Sequence, residues 1–312
     1  QLDHTLTGTE LGIGTRYEGK VRDVYDLGDR LLIVTTDRVS AFDRVLGTIP
    51  FKGEILNRMA LDGFAATEDV VPNHVLESPD PNVLVAEKCE AYPVEFVMRA
   101  YVTGSLWRDL ESGAAEAYEL DFRKDFQKDE RLDAPMLTPS TKAEKGEHDL
   151  PTSRRAILDA GLMTATAFDA AAEAARALFE RGRERAAKRG LILVDTKYEL
   201  GVNASGALTV IDEIHTPDSS RYWIADAYEE RFRERRPQRM LDKENLRQWL
   251  IEERGFSGHG APPSLPDEVR VMLASRYLEA WHRLVDAPFD GAPGPVAPRL
   301  EANLKTAGYL PA

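Results

Sequence analysis

From Leu191 to Ile214 apolar and polar residues alternate along two runs, LILVDTKYEL and ALTVIDEI, separated by the turn-forming stretch Gly201 to Gly206. This pattern predicts a β-hairpin. Successive side chains of a strand point to opposite faces, so Asp195, Lys197 and Glu199 share one face while Thr196 and Tyr198 take the other. On the returning run Leu208, Val210 and Asp212 form one set and Thr209, Ile211 and Glu213 the other, so an acid can stand across from the first strand's carboxylates. Converging carboxylates beside a lysine suit Mg²⁺ and a polyphosphate, because the ion takes one or two protein carboxylates and fills its shell with phosphate oxygens and water. A solvated sheet face with cross-strand ion pairs gives the same alternation.

A second alternating run, Tyr17 to Asp26, passes through Gly28-Asp29 into an apolar stretch ending near Thr35 and predicts another hairpin. Gly19-Lys20 opens it, where glycine lets the backbone approach a ligand and Lys20 and Arg22 bring positive charge, but the Walker spacing is absent. A short helix is expected over Ile55 to Phe64. Strands are expected over Val83 to Ala91 and Val94 to Val102, joined at Tyr92-Pro93. The second delivers Arg99 to Gly104-Ser105 and a helix through Leu110, so Ser105 is either an ordinary N-cap or part of an anion site. The polar segment Asp37 to Asp43 is either a site or a set of self-satisfied turn bonds. Asp121 to Leu150 shows little periodicity, with 138–149 reading as a long polar loop, a lid or a surface excursion. The pattern is helical from Ser153, with an alanine-rich stretch from Phe168 to Ala187 that Gly190 ends. His215 to Trp223 reads as a hydrogen-bonding turn. Helices follow over 226–236, 243–253 and 267–285, and Pro288 to Pro298 reads as a linker or wrapping arm.

Composition narrows the class. The chain has 312 residues, 43% hydrophobic and 30% charged, as expected of a globular protein with a real core. No apolar run approaches the roughly 20 residues that cross a bilayer. The first residues lack a basic region followed by an apolar one, which predicts a cytosolic home. The single cysteine, Cys89, leaves no internal disulfide or thiolate cluster. A net charge of −13 argues against nucleic acid or an anionic membrane as partner, so anionic substrates would need local cationic clusters.

Seven segments taken in order, GKVRDVYDLGD, TDRVSAFD, IPFKGEILN, VEFVMRAYVTGSLW, TPSTKAEKGEHD, LILVDTKYELG and IDEIHTPDSSRYW, closely resemble the phosphoribosylaminoimidazole-succinocarboxamide synthase (SAICAR synthetase) family over roughly residues 17–255. The TPDSSR and STKAEKGEHD forms are similar to the longer, single-chain variety of yeast and some bacteria. The resemblance implies an α+β fold: an N-terminal antiparallel β lobe like the small lobe of protein kinases (1–93), a larger ATP-grasp-like lobe (94–255) and a C-terminal helix with a Pro/Gly-rich tail (256–312). It also implies a reaction. A carboxylated aminoimidazole ribonucleotide (CAIR) would be joined to L-aspartate with conversion of ATP to ADP and phosphate, through an acyl phosphate and with Mg²⁺.

Carried over by the resemblance, Gly19, Lys20 and Arg22 belong to a phosphate loop over ATP. Lys197, Glu199 and Asp212 form the catalytic nucleotide side, with Glu199 and Asp212 as Mg²⁺ ligands, and Asp195 shares their face or orients Lys197. Arg99, Ser105 and Arg221 grip the ribonucleotide 5′-phosphate. Asp37, Ser40, Lys52 and the Lys142 to His148 loop approach the aspartate or the imidazole carboxylate. His148 and His215 are expected to be structural. The partners are small molecules, in a monomer or small homo-oligomer. A small-molecule kinase and a nucleotide-binding module without turnover are the rival readings; the second phosphate-gripping set argues against the first, and the presence of Lys197, Glu199 and Asp212 against the second.

Overall fold

The N-terminal alternation forms three antiparallel strands, β1 (Thr15–Glu18), β2 (Arg22–Asp26) and β3 (Arg30–Thr35). The computed structural model covers residues 1–42, 44–142, 150–241, 244–256, 258 and 260–311. Beyond β3 the polar TDRVSAF segment makes a small ribbon of β4 (Arg38–Ala41) and β5 (Arg44–Thr48) rather than an open loop. Asp37 is buried just before it, and its two carboxylate oxygens accept from the amides of Leu6 (2.7 Å) and Gly53 (2.9 Å). One side chain thereby ties the N-terminal segment to the first turn of α1 (Lys52–Ala65).

β6 (Val75–Asp80) and β7 (Val83–Glu87) complete a five-stranded sheet of order β1-β2-β3-β7-β6. The apolar run of β3 does not alternate because both faces of this sheet are covered. Leu32, Val34, Val83 and Val85 pack on Val296, Leu300 and Leu304 from the far end of the chain. Ile33, Leu84 and Ala86 pack on the other side with Leu61.

The chain changes sheet at Lys88-Cys89. β8 (Glu90–Val102) then runs without interruption through Tyr92-Pro93, where a break between strands was expected. Its pairing with β12 (below) shifts register opposite residues 92–94, and this bulge accommodates the proline's missing N–H. α2 (Gly104–Ser112) follows as expected. The aperiodic stretch after it holds a strand the pattern missed, β9 (Glu130–Leu137), and the two-residue strands β10 (Ser140–Thr141) and β11 (Leu150–Pro151). Pro135 interrupts the alternation of β9, and its pairing with β8 is irregular between Arg99 and Tyr101. Residues 143–149, with His148, lie outside the described residues.

α3 (Arg154–Asp159) and α4 (Ala165–Ala187) start at Ser153 and Thr164, whose side chains accept from the amides three residues on (3.0 and 3.2 Å). α4 lays Ala171, Ala175, Leu178 and Phe179 against the second sheet. At that sheet's centre is β12 (Leu191–Val202), with β8 along one edge. β13 (Leu208–Ile211) and β14 (Ser220–Ile224) share its other edge. β14 occupies the end of the segment expected to be a turn; the polar residues ahead of it mask a short strand whose Tyr222 and Trp223 are fully buried.

α5 (Ala225–Arg233), α6 (Glu244–Arg254) and α7 (Asp267–Leu284) match expectation. α8 (Val296–Thr306) does not, since it starts inside the Pro/Gly-rich stretch read as a linker. Pro295 precedes it and Pro298 lies in its first turn, where no intrahelical N–H bond is lost. Arg299 on α8 reaches Asp80 (3.2 Å), Glu54 (3.0 Å) and Asn82, pinning the helix to α1 and the β6–β7 turn.

Burial pushes the Asp37 carboxyl up to about 6, against the two amides and Lys52, which favour its charge. Asp37→Asn would turn one acceptor into a donor facing a backbone N–H. We expect it to lower unfolding stability by about 1–3 kcal/mol, read as a lower urea midpoint at an unchanged slope; an unchanged midpoint would show that Asp37 does not hold these segments together.

Candidate active site

In the antiparallel register of β8 and β12, Arg99 stands opposite Asp195, Val97 opposite Lys197 and Glu95 opposite Glu199. The odd-numbered residues of both strands therefore share one face, the geometry the alternation predicted. A cleft of about 580 Å³ opens over that face, with Glu95, Arg99, Ser105, Asp195, Lys197 and Arg221 among its walls.

One end of the cleft is built on arginine. Asp195 Oδ2 accepts from Arg99 Nη1 (3.0 Å) and from Arg221 Nη1 (2.8 Å). Arg99 also donates from Nε to Thr138 Oγ1 (2.7 Å) and from Nη2 to Ser105 Oγ (2.8 Å), so its guanidinium is fixed on three sides. Arg221 lies against Gly104 (φ 60), where an added Cβ would stand 2.4 Å from Nη1. Only glycine permits both that left-handed conformation and that approach. Ser105 sits in the first turn of α2, whose unpaired N–H groups and dipole add to the positive field.

The other end is built on carboxylates around one ammonium. Lys197 Nζ meets Glu199, Glu95 (3.2 Å) and Asp212 (3.7 Å). The second oxygen of Glu199 accepts from Lys142. Asp212 has φ 67, so the strand alternation ends there, and Asp212 and Glu213, expected on opposite faces, both reach Arg22 (2.8 and 2.9 Å). Burial opposes the charges on Lys197 and Arg22, but the surrounding carboxylates outweigh it and raise both pKa values, led by Glu199 for Lys197 and by Asp212 for Arg22. Burial likewise opposes the charge on Glu199, yet Lys197 and Lys142 hold it well below the usual carboxylate range. Asp212 is pushed up to about 6 by burial, with Glu199 and Glu213 adding to the effect against Arg22 and Lys197.

Glu199 and Asp212 thus flank the same cation, Lys197. Among the described residues there is no group of three or more His, Cys, Asp or Glu arranged to hold a metal. That donor set fits Mg²⁺, which keeps water and phosphate oxygens in its shell, and does not fit a metal caged by protein alone.

The family model for SAICAR synthetase matches residues 15–260. The chain belongs to the SAICAR synthetase family. Phosphoribosylaminoimidazole-succinocarboxamide synthase of Legionella pneumophila (strain Lens) is 44% identical over 306 residues, 96% of this chain and 97% of the relative. The chloroplastic enzyme of Arabidopsis thaliana is 44% identical over 97% of this chain and 74% of its own length. A solved SAICAR synthase from Saccharomyces cerevisiae, complexed with SAICAR, superposes with a TM-score of 0.79 at 27% identity, covering 92% of this chain and all of the other. Members of the SAICAR synthetase family are ligases that make SAICAR in purine biosynthesis, and the α+β architecture is theirs. No described helix is long and apolar enough to cross a membrane.

Within this SAICAR synthetase fold the residues singled out from sequence form two clusters, with the others placed separately. Arg99, Ser105 and Arg221 line the cleft; Lys197 lines it too and joins it to Glu199 and Asp212, and Arg22 pairs with Asp212. Asp195 stands with the arginines, bonded to Arg99 and Arg221 rather than to Lys197. The Gly19-Lys20 turn is braced from below by Arg38, which donates to the carbonyls of Gly19 (3.0 Å) and Lys20 (3.2 Å). Asp37 spends both oxygens on backbone amides, and Ser40 lies on β4 opposite Val45. Lys52 is fully buried, paired with Asp218 (2.9 Å) and set over the ring of Tyr277. Sequence reasoning missed Arg38, Glu95, Asp218 and Tyr277 as parts of this region, and it placed Glu213 on the face opposite Asp212. Asp218 stood in the quoted TPDSSR segment, whereas nothing in the pattern of α7 distinguishes Tyr277.

His215 is buried. Its Nε2 pairs with Tyr198 Oη (2.7 Å), and Gly182 on α4 makes room for the ring, since a Cβ there would come within 2.6 Å of Nε2. Burial lowers its pKa to about 3. The unfolded chain therefore takes up a proton below its ordinary value near 6.5 that the folded protein refuses, and this contribution to stability is lost as pH falls from about 6.5 towards 3. His215→Gln removes that loss. The stability gap between wild type and variant should narrow by about 1.4 kcal/mol per pH unit in denaturant titrations below pH 6.5; a constant gap would mean His215 titrates alike in both states.

Proposed function

We propose that the chain joins CAIR and L-aspartate at the expense of ATP, giving SAICAR, ADP and phosphate through an acyl phosphate. Lys197 carries this reading: it lines the cleft beside the Arg99–Asp195–Arg221 cluster and is also the ammonium on which Glu199 and Asp212 converge. An arginine-walled pocket for one phosphate next to a lysine–carboxylate centre for a polyphosphate is what a reaction between a ribonucleotide and ATP requires. Membership of the family and its likeness to the yeast structure complexed with SAICAR support the same substrates.

In this proposal a carboxylate oxygen of CAIR attacks the γ-phosphorus of ATP and ADP departs with the electron pair of the broken P–O bond. The aspartate amine then bonds to the acyl carbon, the C–O bond to phosphate breaks, and the amine proton passes to phosphate or water. Arg99, Arg221 and Ser105 hold the 5′-phosphate through directed hydrogen bonds. Lys197 sits where the reacting groups meet and offsets charge on the transferring phosphoryl group. Arg22 and the Gly19-Lys20 turn cover the nucleotide phosphates. Glu199 and Asp212 would hold Mg²⁺, which supplies charge neutralisation of the phosphates when bound. We take the lobes to divide at the change of sheet, with ATP between them, and the setting to be cytoplasmic, the protein monomeric or a small homo-oligomer without nucleic-acid or membrane partners.

Asp212→Asn should keep the fold and lower kcat by about 10²-fold, read from ADP release; near-normal turnover at saturating Mg²⁺ would remove Asp212 from the metal. Arg221→Ala should raise KM for CAIR by about 10- to 100-fold, the worth of one hydrogen bond to a charged group, while KM for ATP stays put. The whole reading is tested by following ADP and SAICAR together with and without L-aspartate. Coupled appearance only with aspartate supports the ligase, and ADP release without amide formation overturns it.

A further inference from the structure

A second cavity, of about 390 Å³, lies apart from the cleft, between α2, the 126–129 loop and the residues that follow α5. Its size is that of a small-molecule site. Three aromatic side chains, Trp107, Phe126 and Phe232, form part of its wall. Phe232 ends a run of stacked rings, lying 5.7 Å from Tyr228, which lies 5.6 Å from the buried Trp223. That rigid backing keeps the Phe232 face turned to the cavity in a fixed place.

Three cations, Lys128, Arg235 and Arg236, line the same cavity together with the buried Asp129, which accepts from Thr103 Oγ1 (2.6 Å), and Arg236 is paired with Glu230 (2.6 Å). Lys128 and Arg235 both line it, both are exposed, and neither forms an ion pair with a described residue. Arg235 has φ 55, a conformation that costs a residue with a side chain about 1–2 kcal/mol.

We propose that this cavity is a second ligand site, for a planar aromatic anion: a flat ring held between Trp107, Phe126 and Phe232, and a phosphate or similar group met by Lys128 and Arg235. Ring stacking suits aromatic walls, and guanidinium suits an anion through its fork. Trp107 lies on α2, whose first turn carries Gly104 and Ser105, so an occupant would touch the helix that builds the arginine end of the cleft.

The test uses 1-naphthyl phosphate as probe, with 1-naphthol as the ring without charge and inorganic phosphate as the charge without ring, each titrated calorimetrically into the full chain. The probe should bind at least about tenfold more tightly than either control, and saturating Mg-ATP should not displace it. The double variant Lys128→Ala/Arg235→Ala should weaken probe binding at least about tenfold with kcat/KM for SAICAR formation unchanged. Displacement by Mg-ATP, wild-type probe affinity in the double variant, or no preference over the two controls would overturn the proposal.

Discussion

The pairing of β8 with β12 is the constraint on which the rest depends. Two antiparallel strands in one register place Glu95, Arg99, Asp195, Lys197 and Glu199 on a single face and send Phe96, Met98, Thr196 and Tyr198 into the protein. A slip of one residue would turn the charged set inward and the aromatic set outward, so the core and the site select the same register. The register is held from outside as well. α4 covers the apolar face, and β13 and β14 divide the remaining edge of β12, bringing Asp212 to one end of the charged row and Arg221 to the other.

On that face Arg99, Asp195, Lys197, Glu95, Glu199 and Arg221 all have charged partners in the protein. Asp195 sits between two arginines and holds both in place while leaving their combined charge only partly balanced. Lys197 is the converse, an ammonium among three carboxylates. Isolated, any of these groups would pay heavily for leaving water, and paired they do so at tolerable cost. In the proposed reaction a phosphate would replace part of what Asp195 supplies to the arginines, and a divalent cation part of what Lys197 supplies to Glu199 and Asp212. Ligand binding then rearranges existing bonds rather than ordering loose side chains, which keeps its entropic cost low.

The C-terminal elements are structural members of the same site although the family match ends at residue 260. Tyr277 on α7 donates to Asp218 Oδ1 (2.7 Å) while Lys52 at the start of α1 holds Oδ2 (2.9 Å), so the TPDSSR loop is clamped between the first helix and the seventh. Arg270 ties α7 to the carbonyls of Leu2 (2.9 Å) and Thr48 (2.8 Å), and Arg299 ties α8 to α1. Loss of these helices would free the loop that carries Ser219 and leads into Arg221.

The sequence by itself determined the local parts. Period-two alternation placed Asp195, Lys197 and Glu199 on one face, Gly104-Ser105 marked the start of α2, and the order of motifs pointed to the family, because each of these depends on neighbours within a few residues. What depends on distant partners was decided only in three dimensions. The left-handed backbone at Asp212 turns two adjacent acids onto Arg22, and no periodicity encodes that turn. Asp195 joined the arginines rather than Lys197 because β14 delivers Arg221 beside it. β9 and β14 are strands because β8 and β12 offer them edges, and α8 is a helix docked on β3 and β7 despite its prolines. Asp37 and Lys52, chemically suited to a substrate, were claimed by two backbone amides and by Asp218, since a buried charged group must be satisfied by whatever the fold brings nearest.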